Sequence, residues 1–207
     1  MLLCEVLLCE EGGLREVAMV MVMAMAMAVE LLRNEEELVK ELCRRLRRMN
    51  ASRILDVGCG TGKLALFLAV HLSCEVIGID IDAEKVAKAR ERATELGFPS
   101  ESVRFYVQPA ERTMFPDGYF DSVVSLKALH ELADASRSLS EAFRILRHGG
   151  IICIIDWVKD TQTTRSHMHA PLYFSEERLV EEMHRAGFLC VRVEKKEDLM
   201  LAEGLKK

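Results

Sequence analysis

The sequence predicts an α/β fold, a doubly wound and mostly parallel sheet with helices on both faces. Short apolar runs alternate with longer amphipathic ones from residue 53 to residue 194, glycines stand where the amphipathic runs stop, and a glycine-rich turn joins the first strand of the series to its first helix. In sheets of this kind the ligand site lies at the carboxyl ends of the strands.

The elements follow in order. Residues 35–49 carry acids in the first turn and arginines in the last, which is how a helix complements its own dipole, so Arg44, Arg45, Arg47 and Arg48 are expected to mark a helix end. Next come strand 53–57, helix 62–72, strand 75–80, helix 83–96 stopped by Gly97, and strand 103–107. Strand 119–125, helix 134–147 closed by Gly149 and Gly150, strand 151–156, helix 175–186 closed by Gly187, and strand 188–194 continue the alternation. The apolar stretch 198–203 is expected to return as an edge strand.

Charge and composition narrow the function. Lys and Arg number 28 against 33 Asp and Glu, a net charge of -5, so no overall basic field exists to hold a phosphate backbone, and no nucleic-acid partner is expected. The seven cysteines form no CxxC pair, a usage that suits a reducing cytoplasm. Residues 17–29, "VAMVMVMAMAMAV", fall short of the ~18–20 apolar residues needed to span a bilayer. They are expected to form a packing helix in an N-terminal apolar extension, residues 1–34, ahead of the main domain, residues 35–207. No membrane span is expected, and a homo-oligomer is compatible with the sequence.

The turn "ILDVGCGTGKLALFLA", residues 54–69, carries the chemistry. Its bare glycines and the unpaired N–H groups of the following helix let a polar ligand approach the backbone. A phosphate-gripping P-loop is excluded, because the positions that would need glycine and Ser/Thr hold Val57 and Leu64. A dinucleotide site is harder to dismiss, since Gly60, Gly62 and Ala65 satisfy GxGxxA and Asp80 follows at a suitable distance. Asp56 opposes it: like charges some 4–6 Å apart at an effective dielectric near 20 cost ~3–4 kcal/mol. A cationic ligand reverses that sign, and S-adenosylmethionine (SAM) offers a sulfonium, an ammonium and ribose hydroxyls. Asp56 and Asp80 suit those demands.

Residues 54–62, "ILDVGCGTG", with "VIGIDID" at 76–82, "FPDGYFDSVVSLKALHEL" at 115–132 and "AFRILRHGGIICIIDW" at 142–157, resemble the class I SAM-dependent methyltransferases. The likeness is to the small-molecule subgroup that includes ubiquinone and menaquinone biosynthesis enzymes, and it covers roughly residues 35–203. It implies a Rossmann-like sheet of seven strands with an antiparallel last pair. It also implies roles: Gly58, Cys59, Gly60 and Gly62 in the loop that cradles the methionine portion, Asp56 near its amino group, Asp80 on the ribose and Ile81 against adenine. Ala110 aligns with a backbone contact to the adenine edge, and Leu126 with a position that lines the cofactor.

One departure stands out. Related sequences often read Gly-Asp-Ala-Glu where this chain reads Gln108-Pro109-Ala110-Glu111, so the acid that would accept from the adenine amino group is a proline. A hydrogen bond to a charged acceptor is worth ~1.5–3 kcal/mol, a loss that only Gln108 or Glu111 could offset.

Methyl transfer is an in-line displacement, so the protein has to align an acceptor, exclude water and handle one proton. His130, after the fourth strand, is the candidate base, because imidazole exchanges protons near neutral pH, and Glu131 is second. His130 could equally serve only to pack the loop. Residues 157–174 form the longest connection at a strand end and read as a lid over the substrate, while His167 and His169 lack a third ligand, so no metal is expected. The function expected is SAM-dependent transfer of a methyl group to a small-molecule acceptor. The alternative is a SAM-binding partner or regulatory subunit of the same fold with weak or no turnover.

Overall fold

The computed structural model describes residues 35–161, 164–166, 168, 169 and 172–207. The N-terminal extension and His167 lie outside them. Seven strands form one sheet in the order β3-β2-β1-β4-β5-β7-β6. In chain order the elements are α1 (Glu36–Arg48), β1 (Arg53–Val57), α2 (Lys63–Leu72), β2 (Glu75–Asp80), α3 (Ala83–Glu95), β3 (Val103–Val107), β4 (Phe120–Leu126), α4 (Ala135–Ile145), β5 (Leu146–Trp157), α5 (Glu176–Arg185), β6 (Leu189–Lys196) and β7 (Leu199–Leu205). Single 3-10 turns at Leu129–Glu131 and Thr164–Ser166 complete the list among the described residues.

The doubly wound prediction holds because each face of the sheet buries its own helices. Leu38, Leu42 and Leu46 of α1, Leu64 and Leu68 of α2 and Val86 and Ala89 of α3 form one core with Ile54, Val76 and Val124. Leu139 and Ile145 of α4 and Leu179 and Met183 of α5 pack with Leu55, Ile77 and Ile152 on the other. Strands buried on both faces read as continuous apolar runs, which is what parallel pairing demands.

Two departures from the sequence-based expectation bear on the sheet. The stretch at 198–203 does not lie at the edge: β7 sits between β5 and β6, antiparallel to both, and β6 is the edge strand. Leu199, Met200, Leu201 and Ala202 are all buried, so this strand needs cover on both sides, whereas β6 ends in Glu194, Lys195 and Lys196 and tolerates water. The fourth helix ends at Ile145, earlier than predicted, because Leu146 is already extended at φ -70°, ψ 140°. Lys206 Nζ then caps the helix by donating to the carbonyls of Phe143, Arg144 and Leu146. Gly149 and Gly150 lie inside β5, where a Cβ on Gly150 would come 2.8 Å from the Asp121 carbonyl oxygen.

The expectation for the arginines of α1 needs one amendment. Arg45 does not merely end a helix but crosses to the far strands, pairing with Glu194 at 2.9 Å and Glu203 at 3.5 Å as well as with Glu41.

The amino-terminal edge of the sheet is pinned by Asp121. Its carboxylate accepts from Ser52 N (2.9 Å), Ser52 Oγ (2.7 Å), Arg53 N (2.8 Å) and Arg147 Nε. Burial alone would raise its pKa, but the bonds from Arg147 and Ser52 outweigh that and hold it down at about 2. The charged form is thus favoured in the fold, and its stabilisation is present above the ordinary carboxylate pKa of 3.8 and lost as pH falls toward about 2. Asp121→Asn is expected to cost about 2–4 kcal/mol at pH 7 by urea melts, with parent and variant converging between about pH 4 and pH 2. A gap that stays constant over that range would show that the charge of Asp121 contributes nothing.

Candidate functional site

The carboxyl ends of β1, β2, β4 and β5 bring Asp56, Asp80, Leu126 and Asp156 to one edge of the sheet. The loop after β1 closes tightly there. Gly58 N and Cys59 N both donate to the Ile79 carbonyl at 2.9 Å, and Gly62 N donates to the Cys59 carbonyl at 2.9 Å. Arg92 of α3 braces the loop from outside through Thr61.

The three glycines of the loop do different work, although all have positive φ. A Cβ on Gly58 would fall 2.3 Å from the Ala128 Cβ, and one on Gly62 would fall 2.8 Å from Phe105 Cζ and 3.0 Å from the Ala89 Cβ. Those two are glycine because neighbours occupy the space. A Cβ on Gly60 would meet nothing within 4 Å, so its bare surface faces open space. Cys59 is buried, and burial pushes its thiol far above the usual range, which makes it a packing residue of the loop.

Asp80 already has partners. Its Oδ2 accepts from Gly60 N at 2.8 Å and its Oδ1 from Asp82 N at 2.9 Å, so the carboxylate ties the glycine loop to the start of α3. Each oxygen retains a lone pair for a further donor. Beyond it stands Ile81, 76% exposed, an apolar side chain presented to solvent just after β2.

Asp56 is the most unusual group in the molecule. It is 1% exposed, and its Oδ2 is buried without a hydrogen-bond partner. Burial pushes its pKa up to about 8; the Ala65 backbone N–H works against the shift and the charge of Asp80 adds to it. Burial thus favours the protonated form, and among the described residues no ion pair to Asp56 occurs, which changes the electrostatic contrast drawn from the sequence. Asp56 is a cation site only in so far as an incoming positive charge ionises it.

The second half of the site was only partly foreseen. Lys127, with φ 53°, ion-pairs with the buried Glu35 and lies 5.3 Å above the Trp157 ring. Leu126 is half-buried at the edge of the core. His130 follows on the 3-10 turn, and its Nδ1 lies 2.7 Å from Asp156 Oδ1 while its backbone N–H donates to Asp156 Oδ2 at 3.1 Å. The carboxylate of Asp156 thus fixes the hydrogen on Nδ1 and leaves Nε2 as the acceptor nitrogen. Glu131 Oε1 stands 3.7 Å from that Nε2. Sequence reasoning missed Asp156; its signal was an acid at the end of an otherwise apolar strand, "IICIIDW".

Part of the predicted lid covers this pair. Tyr173 is buried with its ring centroid 4.8 Å from that of His130, and Lys159 N donates to the Phe174 carbonyl at 2.9 Å, folding the connection back on itself. His169 lies 6.3 Å from His130, ring to ring. No cluster of three or more metal-ligating groups occurs among the described residues.

The loop after β3 is fastened by its own polar side chains. Gln108 N donates to the Asp80 carbonyl at 3.1 Å, Gln108 Oε1 accepts from Met114 N at 2.9 Å, and Glu111 Oε1 accepts from Asp134 N at 3.1 Å. Ala110 is buried and Pro109 is exposed between them.

A family model described as a methyltransferase domain matches residues 55–154. The chain is 35% identical over 130 residues to a 2-methyl-6-phytyl-1,4-hydroquinone methyltransferase of Synechocystis, covering 63% of this chain and 38% of that protein. It is 31% identical over 164 residues to an O-methyltransferase of Aspergillus nomiae, covering 75% and 72%. A SAM dependent methyltransferase of Aquifex aeolicus has the same fold, with a TM-score of 0.68 at 23% identity over 78% of this chain and 87% of that one. The chain belongs to the methyltransferase domain family. It spans 38%, 59% and 46% of the length of three curated relatives that it matches.

Two stability measurements test this account of the loop and its acid. Gly62→Ala is expected to cost about 2–4 kcal/mol in a denaturant melt, through both clash and positive φ, and Gly60→Ala only about 1 kcal/mol, through φ alone; equal losses would refute the distinction. For Asp56 the raised pKa means that the fold loses stability as pH rises from the ordinary 3.8 toward about 8. Asp56→Asn should therefore melt higher than the parent at pH 8 and progressively less so toward pH 4. A variant less stable at pH 8 would make the acid a structural requirement.

Proposed function

We propose that the chain binds SAM at the β1–β2 edge and transfers its methyl group to a small molecule held at the β4–β5 edge. The observation that carries this is the buried, partnerless Oδ2 of Asp56, two residues before the glycine loop: a buried acid without a partner is costly unless a cation completes it. The ammonium and sulfonium of SAM are such cations. In this assignment Gly58, Cys59, Gly60 and Gly62 form the floor under the methionine portion and Asp80 takes the ribose hydroxyls with its remaining lone pairs. Ile81 lies against the base, Ala110 and Glu111 border it, and Leu126 lines the cavity.

SAM supplies an electrophilic methyl carbon; the protein supplies alignment and a proton acceptor. His130 Nε2 receives the proton that the acceptor loses, and Asp156, through Nδ1–H, holds the ring and stabilises the imidazolium that results. Asp156 is thus a positioning residue. Tyr173 and the folded-back connection exclude water from the pair, so opening of this cover admits the acceptor. The same burial of His130, whose side chain is 4% exposed, supports the second possibility, a SAM-binding subunit without turnover.

The test begins with calorimetric titration of SAM, S-adenosylhomocysteine and NAD. The first two are expected to bind and NAD is not; the reverse order overturns the proposal. A panel of phenols, thiols and carbon acids then separates enzyme from subunit by turnover. With an acceptor found, His130→Ala should lower kcat by about 10²- to 10⁴-fold while SAM affinity changes less than about threefold. Asp156→Asn should lower kcat and move the pH–rate profile. Unchanged profiles for both variants would return His130 to loop packing.

A further inference from the structure

We infer that Glu131 is the outlet through which the buried His130 returns its proton to water after each methyl transfer. The inference rests on the reading of His130 as the base, and it gives the second candidate base a different task. A base that takes up one proton per cycle must lose it before the next. His130 is poorly placed to do so alone, because its side chain is 4% exposed and the Tyr173 ring packs edge to face against it. Glu131 Oε1 stands 3.7 Å from His130 Nε2, and the Glu131 side chain is 54% exposed. One carboxylate thus reaches the buried nitrogen and bulk water together.

Among the described residues, the other groups that face the ring are worse outlets. Asp156 is 1% exposed, and its carboxylate already accepts from His130 N at 3.1 Å, from His130 Nδ1 at 2.7 Å and from Trp157 N at 2.7 Å. A proton moved onto that carboxylate would stay buried and weaken the bonds that hold the ring. Tyr173 is buried as well, and burial, with the charges of Asp156 and Glu131, pushes its pKa up. His169 is exposed, but its ring centre lies 6.3 Å from that of His130.

The transfer balances as one proton moved to solvent. After methyl transfer the imidazolium carries hydrogen on both nitrogens. A turn of the exposed Glu131 side chain closes the gap to hydrogen-bond length, the Nε2–H bond breaks as an O–H bond forms on Oε1, and the ring returns to the neutral form with its hydrogen on Nδ1. The carboxyl group then gives the proton to water and is a carboxylate again. Glu131 touches no substrate in this account. Its effect passes through His130, so an amide in its place keeps the shape and removes the exit.

The experiment measures how fast the His130 ring protons exchange with water, by NMR of histidine-labelled protein between about pH 5 and pH 7, with His130→Gln assigning the signals. It needs neither cofactor nor acceptor. Glu131→Gln is expected to slow exchange by about tenfold or more, added formate to restore it, and His169→Gln to leave it near the parent's rate. A thermal melt of each variant verifies folding. Exchange as fast in folded Glu131→Gln as in the parent overturns the inference and leaves His130 as the base. Exchange that slows in His169→Gln instead assigns the outlet to His169 and overturns it too. With an acceptor in hand, Glu131→Gln should lower kcat in dilute buffer and recover it with formate, at unchanged KM, which Asp156→Asn should not. A His130→Ala variant with the parent's kcat overturns the base reading itself, and the outlet with it.

Discussion

The site depends on one close approach: the backbone after β1 passes so near its neighbours that no side chain fits at Gly58 or Gly62. Ala128 presses on the first and Phe105 with Ala89 on the second, so the loop is clamped between the turn after β4 and the packing of α3 on β3. Gly78 belongs to the same constraint, since a Cβ there would fall 2.5 Å from the Phe105 ring. The parallel register of β1 with β2 and β4 sets these distances. The clamp orients the loop's N–H groups and leaves Gly60 as the bare surface facing open space. Asp80, bonded to Gly60 N and Asp82 N, locks the same loop to the next crossover.

Asp56 shows how the fold places charge under tension. A carboxyl group carried at the end of a fully buried strand loses its hydration and gains one backbone N–H, from Ala65, with another acid near enough to oppose its ionisation. Such a group destabilises the protein progressively as pH rises from 3.8 toward about 8. Retaining it there makes physical sense if a cationic ligand ionises it, which is why the proposal places SAM at this position. Sites that bind strongly are often sites that the fold alone would not favour.

The β4–β5 end of this edge of the sheet is built differently. His130 and Asp156 come from segments 26 residues apart and meet because β4 and β5 are adjacent and parallel, Val124 pairing with Cys153 and Leu126 with Ile155. Glu35 just before α1 reaches Lys127, and Tyr173 closes on His130 from the connection after β5, so two remote parts of the chain meet around this turn. In the proposed reaction this enclosure excludes water, and the cover opens to admit an acceptor.

The sequence by itself determined the alternation of elements, the glycine turn and the two acids at strand ends, because periodicity, glycine φ and strand termini are local properties. Strands 53–57, 75–80 and 103–107 appear with those bounds. What it could not determine are the properties that need neighbours. The insertion of β7 between β5 and β6 follows from burial on both faces, which becomes visible only when the sheet is assembled. The raised pKa of Asp56 follows from dehydration by residues far along the chain, and the pairing of His130 with Asp156 from the register of two strands. Tertiary structure also separated the three glycines of one turn into two that fill a clamp and one that faces open space, since the distance from a missing side chain to its neighbour is written in the packing and not in the motif.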